Sequence, residues 1–197
     1  SIVHATPAAF LAHQPMRIFY EAIASDYMET EVDLLIGGGK RYFDRREDER
    51  DLIQVWRNRG YKVDHYFNRE LFAYSRLNPK YNFVFFTADK DPVGAIQGRR
   101  YLPHAVRLST EFLDQRSEEG FILLVEGSQI DWKGHGNEAT ELLLELEDFD
   151  RAIQAALDFA QQDGETLVIV TADHETGGLA INPGSKMKKL DLAFTTN

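Results

Sequence analysis

Two short strings hold the residues best suited to chemistry. One is Glu126-Gly-Ser-Gln-Ile-Asp131-Trp132-Lys-Gly-His135; the other is Thr171-Ala-Asp173-His174-Glu-Thr-Gly-Gly. Each delivers an aspartate and a histidine within a few residues. Carboxylate oxygen with imidazole nitrogen is the donor mixture that suits zinc, and two such pairs suggest two metals. Asp131 and His135, four residues apart, can share one helical face or one loop. Asp173 and His174 are adjacent, and neighbours on a strand face opposite ways. Both therefore reach one metal only where the strand has ended, and Thr176-Gly-Gly178 signals such an end. Catalytic zinc keeps about three protein ligands and one open position, so each pair is one ligand short. No other histidine has an equally persuasive setting: His13 falls on a helical pattern, and His65 and His104 lie among charged or helical residues.

The elements around the strings place them. Phe121-Ile-Leu-Leu-Val125 reads as a buried strand feeding the first string, and Thr166-Leu-Val-Ile-Val170 as another feeding the second. Between them, residues 137–162 read as a long amphipathic helix with Leu142, Leu146, Phe149, Ile153 and Leu157 on one stripe. Strand, helix, strand is a βαβ unit, which implies an at least partly parallel sheet. Ligands of such sheets bind beyond the carboxyl ends of the strands, where Glu126, Asp131, Asp173 and His174 fall. Earlier in the chain, residues 8–24 have helical spacing that Pro15 disturbs. Residues 32–36 read as a strand running into Gly37-Gly-Gly, and the second half of 41–59 as a helix ended at Gly60. Residues 61–65 and 81–86 read as strands, and 102–118 as a helix. Asn182-Pro-Gly-Ser-Lys-Met-Lys-Lys reads as a loop.

Bulk properties exclude several classes. The 197 residues suffice for one domain with a substantial core. Net charge is −10, which disfavours a nucleic-acid binder, since that needs a basic face to displace counterions. An acidic chain handling an anionic substrate needs cations at its site, because these invert the local field. With no cysteine there is no disulfide framework, thiolate metal site or cysteine nucleophile. No apolar run is long enough to span a membrane.

Both strings closely resemble the metal-binding motifs of the alkaline phosphatase family. Glu126…Asp131…His135 is similar to the segment bearing that family's magnesium glutamate and first zinc pair. Thr171-Ala-Asp173-His174 resembles the segment that supplies two ligands of the second zinc. His4-Ala-Thr6-Pro7-Ala-Ala looks like its other magnesium segment. There Thr6 falls on the hydroxyl ligand, and His4 on a position held by Asp or His. Counting on, Arg17 falls on the arginine that clamps the substrate phosphate, a role suited to a two-pronged guanidinium. Trp132 follows the zinc aspartate where other members carry Lys or His. With His4 it is assigned to the surroundings of the metals, since an indole N–H cannot ligate.

The resemblance covers nearly the whole chain and implies an α/β fold: a three-layer α/β/α sandwich with a largely parallel central sheet. It implies one partial catalytic domain over residues 1–197, incomplete at both ends. Asp131 and His135 would hold a first zinc, Asp173 and His174 a second, and Thr6 and Glu126 a magnesium. The implied activity is hydrolysis of small phosphate monoesters. The serine nucleophile would come from a segment outside this chain, and a further zinc histidine would follow a segment like Ala193-Phe-Thr-Thr-Asn197. The isolated chain is accordingly expected to be inactive. A periplasmic or extracellular setting and a homodimer are further expectations, and an open sheet edge would favour association. Two alternatives stay open: another metal-dependent phosphodiesterase or phosphomutase of the wider superfamily, and a non-catalytic folded fragment.

Overall fold

The computed structural model describes residues 1–186 and 189–195. Met187 and Lys188 of the expected polar loop, and the last two residues of the 193–197 segment, lie outside them. The chain divides into two compact units, each assembled from separate stretches: 1–93 with 104–125, and 94–103 with 126–197.

The first unit holds a three-stranded parallel sheet. Its strands are β1 (Leu34–Gly38), β2 (Lys62–His65) and β3 (Phe83–Ala88), in the order β1-β3-β2. β3 is central because Phe83-Val-Phe-Phe86 is apolar on both faces, as a strand covered on both sides requires, and all four residues are buried. One face, through Val84 and Phe86, joins a cluster with helices α1 (Ala5–Leu11), α2 (Tyr20–Asp26), α3 (Arg41–Asp44) and α4 (Leu52–Asn58). At its centre Phe43 stacks on Trp56 at 4.9 Å and meets Phe86 at 5.1 Å. On the other face, Tyr74 stands edge-on to Phe83 and Phe85. The residues expected to form one disturbed helix make two, α1 and α2. The chain turns at Pro15–Ile18 between them, because proline removes a donor and crowds the preceding turn.

Arg46 closes this unit. Its guanidinium donates to the Glu21 and Tyr42 carbonyls, to the Ser25 hydroxyl and to the Asp48 carboxylate, and so ties α2 to the end of α3. Gly38, ending β1, is needed for close approach: a Cβ there would stand 2.2 Å from the Lys90 carbonyl oxygen. Beyond the end of β2, Asn68 and Tyr74 donate to the Asp64 carboxylate, which pushes the Tyr74 hydroxyl, already raised by burial, up to about 12.

His65 ends β2. Its Nδ1 is buried and meets no hydrogen-bond partner among the described residues. Burial, then the Lys40 charge, hold its pKa below the usual histidine value. Because the folded value is the lower one, the unfolded chain takes the proton first as pH falls. The contribution to stability is therefore complete above about pH 6.5 and shrinks below it. The urea midpoint of the first unit is expected to fall between pH 7.5 and pH 5.5, and to fall less in His65→Gln. Equal slopes in the two proteins would remove His65 as the cause.

Helix α5 (Tyr101–Asp114) lies across the boundary between the stretches. The second unit contains α6 (Gln129–His135), α7 (Ala139–Asp163) and a two-residue antiparallel ladder of β4 (Ala180–Ile181) with β5 (Leu192–Ala193). The α7 stripe differs from the expected one. Buried positions are Leu142, Glu145, Asp148 and Ala152, whereas Leu146 and Leu157 are exposed. The reason is Arg99, whose largely enclosed side chain brings its guanidinium to both Glu145 and Asp148. Glu145 also accepts from the Ala95 amide at 2.6 Å. Neutralised carboxylates thus take the inner face that leucines were expected to hold.

Residues 121–125 and 166–170 do not form strands. Nor are they buried as expected: Ile122, Leu124, Leu167, Ile169 and Val170 are exposed. A strand is defined by its neighbour's hydrogen bonds, and no ladder reaches either stretch among the described residues.

Candidate metal centre

All four zinc-type residues lie in the second unit. Asp131 and His135 stand on α6, one turn apart, on one face. Gly136 and the left-handed Asn137 end that helix, and the Asn137 amide donates back to the Gly134 carbonyl. Lys133 donates to Glu138 at 2.8 Å and Glu141 at 2.7 Å, fastening α6 to the start of α7. Asp173 and His174 lie on irregular backbone, where adjacent side chains are free to turn the same way. Gly127 lets the chain after Glu126 approach α7: a Cβ there would stand 2.9 Å from the Phe149 ring.

The distances have a common scale. His135 Nε2 is 3.5 Å from Asp131 Oδ1, and His174 Nε2 is 3.3 Å from Asp173 Oδ2. Both exceed an ordinary hydrogen bond. Two ligands each about 2.1 Å from one tetrahedral zinc stand about 3.4 Å apart, so each pair matches two ligands of one metal. Among the described residues no three acidic or imidazole side chains converge on one point; donors come in pairs. The four side chains are solvent-accessible, His135 at 72% and Asp173 at 76%.

Thr176 joins the pairs. Its hydroxyl donates to Asp131 Oδ1 at 2.8 Å and lies 3.2 Å from His174 Nδ1. His174 Nδ1 is 2.9 Å from the Glu175 carbonyl, an obligate acceptor, so that nitrogen carries the proton and Nε2 presents the lone pair. That hydrogen bond, then the Asp173 charge, raise the pKa of His174. Thr176 reads in the sequence only as part of a strand-ending signal. Its contact with Asp131 spans 45 residues, a distance that no local pattern reports.

The remaining candidates are distributed. Glu126 is in the second unit, half-buried at the entry to the first string, and Trp132 is partly exposed on α6. His4, Thr6 and Arg17 are in the first unit. His4 caps the start of α1, stacks on Tyr20 at 5.2 Å and faces Asp91 at 3.4 Å; burial lowers its pKa. Thr6 is in the first turn of α1, and Arg17 is exposed in the turn before α2.

Residues 1–195 match the alkaline phosphatase family model. The chain belongs to the alkaline phosphatase family. It is 37% identical to alkaline phosphatase 3 of Bacillus subtilis in a 189-position alignment that covers 91% of this chain and 39% of that relative. It is 33% identical to the repressible alkaline phosphatase of Saccharomyces cerevisiae, over 90% of this chain and 37% of that one. The chain thus spans about two-fifths of the length of these curated relatives. Among solved structures, alkaline phosphatase from the Antarctic bacterium TAB5 superposes with a TM-score of 0.88 at 37% identity, covering 100% of this chain and 58% of that one. Cold-active alkaline phosphatase from Shewanella does so at 0.80 and 35%, over 94% and 44%. Variants of the TAB5 enzyme have Mg bound in a site designated M3. The α/β class, with its parallel sheet and flanking helices, is that of these alkaline phosphatases.

Proposed function

We propose that these residues form the part of a secreted alkaline phosphatase that carries two zinc half-sites, the oxygen ligands of a magnesium and the phosphate-binding arginine. The reaction is hydrolysis of small phosphate monoesters, with a serine nucleophile supplied by a segment not among these 197 residues. The observation that carries the reading is the pairing of Asp131 with His135 and of Asp173 with His174 at the separation of ligands sharing one tetrahedral ion.

Each residue has a defined task. Asp131 and Asp173 supply negative charge that holds a dication, and His135 and His174 supply neutral nitrogen donors through Nε2. Thr6 and Glu126 offer the hydroxyl and carboxylate oxygens that suit magnesium. Arg17 offers two parallel N–H donors to non-bridging phosphate oxygens, so that it orients the group in line. Trp132 and His4 are assigned to the surroundings of the metals, not to their ligands. Two zinc ions held by these pairs would supply Lewis-acid stabilisation of the charge that develops on the phosphoryl-transfer oxygens.

A segment exchange tests this. This chain replaces the corresponding stretch of Bacillus subtilis alkaline phosphatase 3, and the chimera is assayed on an aryl phosphate. Chelator-sensitive turnover is expected from the chimera and none from the 197 residues alone. A folded, zinc-loaded chimera without turnover would sink the proposal.

A further inference from the structure

The two half-sites are built on separate stretches, α6 and the loop after residue 170, so something has to hold Asp131 and His174 in a common frame. We infer that Thr176 is a positioning residue: it ties the Asp131 carboxylate to the His174 ring, fixing the orientation of both as ligands. This rests on the proposed zinc reading.

Three observations carry it. The first is proton direction. Asp131, as a carboxylate, only accepts, so the Thr176 proton goes to Oδ1 at 2.8 Å. The hydroxyl lone pairs are then what faces His174 Nδ1 at 3.2 Å. Nδ1–H is shared between this oxygen and the Glu175 carbonyl at 2.9 Å. The ring thus has two acceptors on its Nδ1 side, at 2.9 and 3.2 Å, nearer than the Asp173 carboxylate that faces Nε2 at 3.3 Å. Its lone pair is directed from Nε2, the atom facing Asp173. Hydrogen-bonded partners of this kind orient metal ligands and are worth about 10–100-fold in affinity.

The second is packing. Thr176 rests on α6 at Gly134, between the two ligand positions; a Cβ on Gly134 would stand 3.0 Å from both Thr176 Cβ and Cγ2. Its methyl is therefore held while its hydroxyl is aimed. The third is the backbone after it. Gly177 has φ +78°, and a Cβ there would stand 2.5 Å from the Gly134 carbonyl oxygen. The Gly178 amide is bonded to Glu175, and the Thr195 amide to the Gly177 carbonyl. The loop is thus anchored on both sides of the threonine, and its hydroxyl has little freedom to leave Asp131.

The test compares Thr176→Val, which keeps shape and loses the hydroxyl, with Thr176→Ser, which keeps the hydroxyl. Zinc affinity of the 197-residue chain is measured by competition with a chromophoric chelator, with circular dichroism to confirm folding. Metal-free chain is examined by 15N NMR at pH 8.5 for the His174 tautomer. We expect Thr176→Val to weaken zinc about 10–100-fold and to mix the His174 tautomers, and Thr176→Ser to stay within about threefold with one tautomer. Unchanged affinity and tautomer in Thr176→Val overturn the inference. If the unaltered chain holds zinc no better than Asp131→Asn does, the metal reading fails instead. The tautomer measurement then decides on Thr176 by itself: mixing supports its hold on the ring, and no change ends it.

Discussion

Asp131→Asn is expected to weaken zinc binding by about 100-fold. Zinc held by four protein ligands is bound by roughly 12 kcal/mol, or about 3 kcal/mol for each. The substitution removes the charge opposite His135 at 3.5 Å and gives the Thr176 hydroxyl a weaker acceptor. Both half-sites should respond, because Thr176 also faces His174. The comparison is Glu147→Gln, an exposed carboxylate on α7 paired only with its helical neighbour Arg151 in the contacts described; it should leave zinc affinity unchanged. If the two variants weaken binding equally, the effect is overall charge, and Asp131 has no special place.

The second large effect is expected at Arg99. Its guanidinium is 8% exposed and serves Glu145 and Asp148, exposed by 2% and 5%. Arg99→Met leaves two buried carboxylates without a counter-charge and should cost about 3–5 kcal/mol. Burying charge is not stabilising in itself; removing one partner is what is severe. The triple variant Arg99→Met, Glu145→Gln, Asp148→Asn should therefore recover most of the loss, since Glu145→Gln keeps a side-chain oxygen for the Ala95 amide. Urea unfolding with amide exchange along α7 reads this directly. A loss below about 1 kcal/mol in the single variant would mean that water already serves these carboxylates.

Much of the candidate site was legible because its elements are local. Asp131 and His135 sit at helical spacing, and Asp173 with His174 precede glycines that end regular structure; both facts need only a few residues of context. Thr176 was not legible, because its partner lies on another element and its own neighbours suggest only a turn. The α7 stripe shows a subtler failure. Leucine spacing selects Leu142, Leu146 and Leu157, but a helical pattern cannot see an arginine 46 residues away that makes Glu145 the better inward residue. In the fold, residues 81–86 read as a strand, and the structure forms one there and places it at the centre of its sheet. Residues 121–125 and 166–170 have the same composition without a ladder, because propensity describes one strand and pairing needs two.

The interleaving of the two units sets an order on their birth. Residues 94–103 leave the ribosome ahead of the last first-unit stretch, yet their acidic partners on α7 come 46 and 49 residues after Arg99. At about 5–20 residues per second, that is a wait of roughly 2–10 s. During it the first unit can gather all of its residues through Val125, while Arg99 remains hydrated and uncommitted. Cutting the gene between Val125 and Glu126 would make that wait permanent. The downstream piece would carry Asp131, His135, Asp173, His174 and both buried carboxylates but not the cation that allows α7 to bury them, so the second unit cannot be lifted out as one contiguous stretch.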